Sequence, residues 1–185
     1  MDLLELPYTG PSANLYDPAK TIMKYLAFCE DVKTPAHLLI ENEEDIAQLP
    51  GNLQFPLFVK PAKAGDSLGV DEESKAKNSA DLNLKVKNIL AEFGSALVEE
   101  YIEGREFTVL VCANPDGKTC TRFTPVEYIF PEGFAFKTYA LKTSELHPNA
   151  NVAVTNQVLS KKLQDIAEQI FMSFNGVGYG RMDFR

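Results

Sequence analysis

The stretch FPLFVKPAKAGDSLG, Phe55 to Gly69, decides how the rest of the chain is read. Phe55, Leu57, Phe58 and Val59 favour a strand, Pro56 suits a strand start, and Lys60-Pro61 closes the run. A run this apolar implies cover on both faces, so Lys60 leaves the core with its stem buried and its ammonium at an edge. Lys63, Gly65, Ser67 and Gly69 follow in a loop. Its small residues let backbone N–H groups approach phosphate oxygens closely, and its serine adds a hydroxyl donor. The loop is not a Walker A sequence, which requires GK[ST] after its second glycine. From these residues alone a strand running into an ordinary surface turn is the plainer account. What shifts the balance lies downstream.

With 185 residues and 45% hydrophobic content, the chain is long enough for one sizeable core or two small lobes. A formal net charge of -8 argues against a nucleic-acid-binding surface, where clustered positive charge supplies most of the affinity. A local group of lysines can still hold phosphate within an acidic body. The first ten residues carry neither a basic nor an apolar signal region, and no apolar run is long enough for a membrane span, so a cytoplasmic location is expected. Cys29, Cys112 and Cys120 form no CxxC pair, which points away from a disulfide framework or a zinc site. Cys112 and Cys120 could face each other across a hairpin, as reduced thiols. His37 and His147 are isolated and read as surface or packing residues.

Along the chain, residues 1–16 read as a loop leading out of another unit. Asp17-Pro18 supplies an N-cap and a first-turn proline for a helix to about Cys29. Lys20 falls in the first turn, where a cation opposes the helix dipole, so it is either solvated or placed for a ligand. Ala36–Ile40 predicts a strand and Asn42–Leu49 a short acidic helix. Asp71–Asn78 reads as a charged, mobile connection, followed by a helix bearing Leu82, Val86, Ile89 and Phe93 and stopped by Gly94. Ser95–Ile102 predicts a strand. Arg105–Ala113 and Thr119–Phe130 flank the turn Asn114-Pro-Asp-Gly-Lys118, with Pro125 marking an edge or a bulge. Pro131–Val154 has the weak pattern of a flap. Thr155–Phe174 is the longest helix, and Gly178–Phe184 a last strand. Strands, hairpins and helices mixed in this way give an α+β class.

Two further stretches belong with the first. In Ala96–Val109, ALVEEYIEGREFTV, a strand breaks into a short connector. Such a break leaves backbone N–H and C=O groups for an adenine edge, and carboxylates for an amine or ribose hydroxyls. In Gly178–Phe184, GYGRMDF, Arg181 and Asp183 alternate onto one strand face. They are either a cross-strand ion pair or the holders of an oxyanion and a magnesium ion.

In this order and spacing, FPLFVKPAKAGDSLGV, LVEEYIEGREFTV and GYGRMDF resemble the ATP-grasp ligases, most closely the D-alanine-D-alanine ligases. YTGPSANLYDPAKTIMKYL resembles that family's passage out of its N-terminal domain. The resemblance implies an exit segment at 1–16, a central ATP-grasp lobe at 17–102 and a C-terminal lobe at 103–185, with ATP and magnesium between the lobes. It implies that Lys20 and Lys60 hold the nucleotide phosphates. Gly65 to Gly69 would fold over them, with Ser67 as a donor. Glu99 would accept from the adenine amino group, Glu100 and Ile102 would give the backbone pair to its edge, and Glu106 would bind ribose. Arg181 would stabilise the transferred phosphate, Lys137 would come from the flap, and Asp183 would be the first magnesium ligand.

Two positions depart from the family. Gly65-Asp66-Ser67 stands where Gly-Ser-Ser is usual, and Lys137-Thr138 where the flap ends in Lys-Tyr, Tyr139 coming one place later. The implied activity is ATP-dependent carboxylate-amine ligation through an acyl phosphate. The alternatives are a non-catalytic nucleotide-binding module and a ligase for another amino acid or peptide carboxylate. A small-molecule amino-acid substrate is expected, without nucleic acid or membrane, and a homodimer is an option for the longer protein. The family's N-terminal domain and a strand with further magnesium ligands are expected outside this sequence.

Overall fold

The computed structural model describes Gly10 and residues 18–65, 67–139, 141 and 150–185. The first sheet is antiparallel and has the order β1 (His37–Ile40), β4 (Ala96–Glu100), β2 (Leu57–Pro61), β3 (Lys75–Ala76). Directly opposed residues share a face, and Val59 opposite Val98 with Ile40 opposite Ala96 sets the inner one. That face packs on Leu82, Val86 and Ile89, which recur at helical spacing along α2 (Ser79–Phe93). Asn78 caps α2 by accepting from Asp81 N–H, and Gly94 ends it at φ 76°. The outer face carries His37, Leu39, Phe58, Lys60, Lys75, Leu97 and Glu99. Over it lies α1 (Lys20–Cys29), whose Lys24 reaches Glu99.

The second sheet is built on β5 (Glu106–Ala113), paired along one side with β6 (Cys120–Arg122) and β7 (Val126–Tyr128) and along the other with β9 (Tyr179–Phe184). β8 (Asn151–Ala153) extends it beyond β7. Its core face, Phe107, Val109 and Val111, packs on Leu163, Ala167 and Phe171 of α3 (Gln157–Ser173). The opposite face presents Glu106, Thr108, Leu110, Tyr128, Arg181 and Asp183. No helix among the described residues is long and apolar enough to cross a membrane.

Several expectations need correction. The α1 helix begins at Lys20 behind Ala19, and the expected cap, Asp17, lies outside the described residues. Asn42–Leu49 yields only a 3-10 turn, Glu43–Gln48, held by Asp45 accepting from Glu41 and Asn42 N–H. The Asp71–Asn78 stretch is not a free connection. It contains β3 and a turn in which Ser74 is fully buried, and Lys85 of α2 grips Asp71 at 2.6 Å through both oxygens. Its charges hide an apolar alternation only two residues long. Thr119–Phe130 splits into two strands where Phe123, Thr124 and Pro125 oppose Val109 and Leu110, which is a bulge at the predicted proline. Cys112 and Cys120 do not face each other. Cys112 pairs with Thr121 and Cys120 with Ala113, so the two thiols leave opposite faces of the sheet. The flap contains β8, and His147 lies outside the described residues.

Candidate functional site

Glu99 lies in the middle of the outer face of the first sheet, opposite His37 on one side and Phe58 on the other. Its side chain is 8% exposed, and two lysines meet it. Lys60, one rung away on β2, donates to Oε1, while Lys24 Nζ stands 2.9 Å from Oε2 and donates to Pro35 O at 3.0 Å. Burial pushes the Glu99 carboxyl upward more than any single other influence, but Lys60 and Lys24 together outweigh it and hold the group below the ordinary range. Burial lowers Lys24, with Glu99 pulling the other way. His37 is pushed below its ordinary value, first by burial and then by Lys24, so it sits beside this group as a neutral ring.

Lys20 opens α1 against the loop that follows β2. Its backbone N–H donates to Ala62 O at 3.3 Å and its ammonium to Ala64 O at 2.5 Å. Two lysines therefore meet one buried carboxylate, and a third, Lys20, holds the loop that follows Lys60, which gathers positive charge on this side of an acidic chain. In that loop Gly65 O and Ser67 O accept from Leu68 and Val70 N–H, and Ser67 takes φ 58°. Gly69, at φ 71°, fits because a Cβ there would stand 2.7 Å from Pro61 Cγ and 2.9 Å from Phe93 Cε2. Asp66 lies outside the described residues.

Beyond β4 the chain passes through Tyr101 and Ile102 to the second sheet. Tyr101 is tilted against Phe58 at 6.2 Å and meets Phe136 at 6.2 Å, and Phe136 is edge-on to Phe58 at 5.0 Å. Arg185, which follows β9, donates to Ile102 O and reaches Tyr101 Oη at 3.3 Å and Glu106 at 3.7 Å. Since Tyr101 touches both Phe58 and Arg185, the outer face of the first sheet and the open face of the second converge on it. On that open face Arg181 forms a two-pronged pair with Asp183 at 3.1 and 3.2 Å, and Thr108 donates to Asp183 at 2.8 Å. Lys137 lies over the Tyr128 ring at 3.9 Å. Thr138 is buried, with Oγ1 accepting from Leu141 N–H at 3.2 Å, whereas Tyr139 is exposed and its N–H donates to Val70 O at 3.1 Å.

The residues singled out in the sequence thus fall into three local groups: Lys20, Lys60 and Glu99 with the glycine loop; Glu100, Ile102 and Glu106 along the connector; Arg181 and Asp183 on β9. Lys137 stands apart on Tyr128. Sequence reasoning missed Lys24, although it is one helical turn from Lys20 and faces the same sheet. It also missed Arg185, which continues the alternation of Arg181 and Asp183 along β9. As a magnesium site the β9 group offers one half-exposed carboxylate, and the described residues contain no cluster of three or more metal-ligating side chains. Within this chain Asp183 therefore supplies one carboxylate toward such an ion, and that carboxylate already engages Arg181 and Thr108.

A family model described as the D-ala D-ala ligase C-terminus matches residues 25–185. The D-alanine--D-alanine ligase of Lactococcus lactis subsp. cremoris (strain SK11) is 29% identical over the whole chain, which covers 53% of that protein. The Bordetella petrii ligase is 25% identical, again over the whole chain, with 55% of it covered. The chain therefore spans about half the length of these curated relatives. Among solved structures, D-alanyl-alanine synthetase A from Vibrio cholerae superposes with a TM-score of 0.75 at 22% identity, over 99% of this chain and 56% of that one. The D-alanine-D-alanine ligase from Coxiella burnetii gives 0.73 at 21%, over 99% and 48%. With residues 25–185 inside the family model and this fold shared with the solved relatives, the chain belongs to the D-alanine-D-alanine ligase C-terminal family and has its ATP-grasp fold.

Proposed function

We propose that this chain is the nucleotide-binding part of an ATP-dependent carboxylate-amine ligase that works through an acyl phosphate. The observation that carries the reading is the buried Glu99 held by Lys60 and Lys24, next to a loop that Lys20 grips at Ala64. A lone buried carboxylate needs only one partner, so the surplus positive charge suits a polyanion. In this reading Lys20, Lys60 and the N–H groups of Gly65 to Gly69 hold the phosphates, with Ser67 as a hydroxyl donor. Glu99 accepts from the adenine amine, Glu100 and Ile102 meet its edge, and Glu106 takes ribose hydroxyls. Arg181 holds charge that develops on the transferred phosphoryl group, and Lys137, which lies over the Tyr128 ring, adds a second cation from the flap. Asp183 would hold magnesium, which when bound neutralises phosphate charge. The hydrogen bond from Thr108 fixes the direction in which Asp183 presents its carboxylate.

The carboxylate substrate differs from that of the named relatives in this reading. The Thr138 hydroxyl is buried and engaged with the Leu141 backbone, so it does not take the place of the family's flap tyrosine. Two measurements test the proposal. Lys60→Ala is expected to weaken magnesium-ATP binding by about 2 kcal/mol or more, the scale of removing one partner from a charge-assisted contact. Unchanged affinity in titration calorimetry removes Lys60 from the site. In a panel of amino acids and dipeptides, phosphate release by the whole protein is expected to respond to a substrate other than D-alanine. A response led by D-alanine overturns the substrate assignment, and no response to any member overturns the ligase reading.

A further inference from the structure

We infer that Arg185 is a positioning residue that locks the connector between the sheets and aims Glu106, so that this chain selects ribonucleotides over deoxyribonucleotides. The inference rests on the nucleotide reading given above. Arg185 stands on the open face two residues beyond Asp183, and its guanidinium gathers groups from separate parts of the chain. Nε donates to Ile102 O, Nη2 donates to Ala135 O at 2.5 Å and lies 3.3 Å from Tyr101 Oη, and Nη1 stands 3.7 Å from Glu106 Oε2. The guanidinium carbon is also 5.3 Å from the centre of the Tyr101 ring. Both members of the Arg185–Glu106 pair are about four-fifths buried, with side-chain exposures of 20% and 19%.

A planar fork with five donors can satisfy two carbonyls, a phenol and a carboxylate at once, which a single ammonium cannot. Engaging Ile102 O fixes the peptide plane after Ile102 and so the direction in which the connector presents its edge. The bond to Ala135 brings the approach to the flap onto the same cation. Glu106 has one oxygen turned toward that cation, which biases its carboxylate toward one orientation at the ribose end of the connector. Losing Arg185 removes this bias on the carboxylate and the anchor on Ile102 O. A 2′-deoxynucleotide offers Glu106 one hydroxyl fewer and gains least from this arrangement.

The experiment compares equilibrium affinity for magnesium-ATP and magnesium-2′-deoxyATP across wild type, Arg185→Met, Glu106→Gln and the double variant. Wild type is expected to prefer ATP by about 10-fold, the scale of one buried hydrogen bond to a charged group. In Arg185→Met that preference is expected to fall to about 2-fold or less, and adding Glu106→Gln is expected to change it little further, because the two residues act as one unit. Should Arg185→Met unfold, Arg185→Gln keeps a polar side chain without the charge and is expected to show the same loss. Equal weakening of both nucleotides, with the preference intact, makes Arg185 a structural clasp only and overturns the inference. An absent preference in wild type overturns it as well. Failure of wild type to bind ATP at all overturns the nucleotide reading beneath it.

Discussion

Held between two lysines and 8% exposed, the Glu99 carboxylate has exchanged its water for ion pairs, and its removal leaves two ammonium groups facing each other in the protein. Glu99→Gln keeps the volume and discards the charge. The expected cost is about 3 kcal/mol of folding stability, the range for breaking a buried pair from one side. The effect carries a pH signature. Burial alone raises the carboxyl, but Lys60 and Lys24 bring its folded pKa below the ordinary 4.5. A depressed carboxylate contributes stability that is complete above the unfolded value and is lost as pH falls through the folded one. The gap between wild-type and Glu99→Gln urea midpoints should therefore be full at pH 7 and close progressively below about pH 4.5. A gap of constant size down to pH 3 would show that the pair does not set the stability of this face.

At the scale of elements, the strand-to-loop passage after Lys60 was legible in the sequence because β-branched and aromatic residues, a proline and spaced glycines agree on it. Other parts were not legible, each for a physical reason. β3 is too short for an alternation to register and sits among charges that only the folded Lys85–Asp71 grip explains. Lys24 looked like any helix-surface lysine because nothing local reveals that its face meets Glu99. Glycines, too, differ in ways the sequence hides. Gly65 and Gly69 read alike, yet a Cβ at Gly65 meets none of the described residues within 4 Å, whereas at Gly69 it would strike Pro61 and Phe93 at a left-handed φ of 71°. Gly69→Ala is expected to lose about 2–4 kcal/mol from crowding and backbone strain combined. Gly65→Ala should stay within about 0.5 kcal/mol of wild type while weakening ATP binding. Thermal unfolding of both variants separates the roles, and equal melting temperatures would remove Gly69 from the packing that shapes the loop.

For the whole molecule, stability is divided between two apolar clusters, one under α2 and one under α3, and among the described residues a few aromatic and polar contacts join them. Phe58 on β2, Tyr101 in the connector and Phe136 on the approach to the flap form one ring cluster that belongs to neither core. Gln169 of α3 adds a bond to Glu30 O at 2.8 Å at the end of α1, Tyr139 N–H donates to Val70 O at 3.1 Å, and Arg185 adds its bond to Ile102 O. Two cores joined in this way unfold together only while the joining free energy exceeds the difference between their own stabilities. Phe136 is half-buried and lies outside both clusters, so Phe136→Ala removes about 1–3 kcal/mol of aromatic contact from the joint while leaving each core packed. The expected outcome is decoupling: in scanning calorimetry the measured enthalpy exceeds the van't Hoff enthalpy in the variant while the two agree in wild type. Hydrogen exchange should then divide into one protection level for β1, β2, β4 and α2 and another for β5, β9 and α3. A single cooperative transition in Phe136→Ala, with enthalpies that still agree, would mean that other contacts, such as the bonds of Arg185, Gln169 and Tyr139, suffice to couple the two sheets.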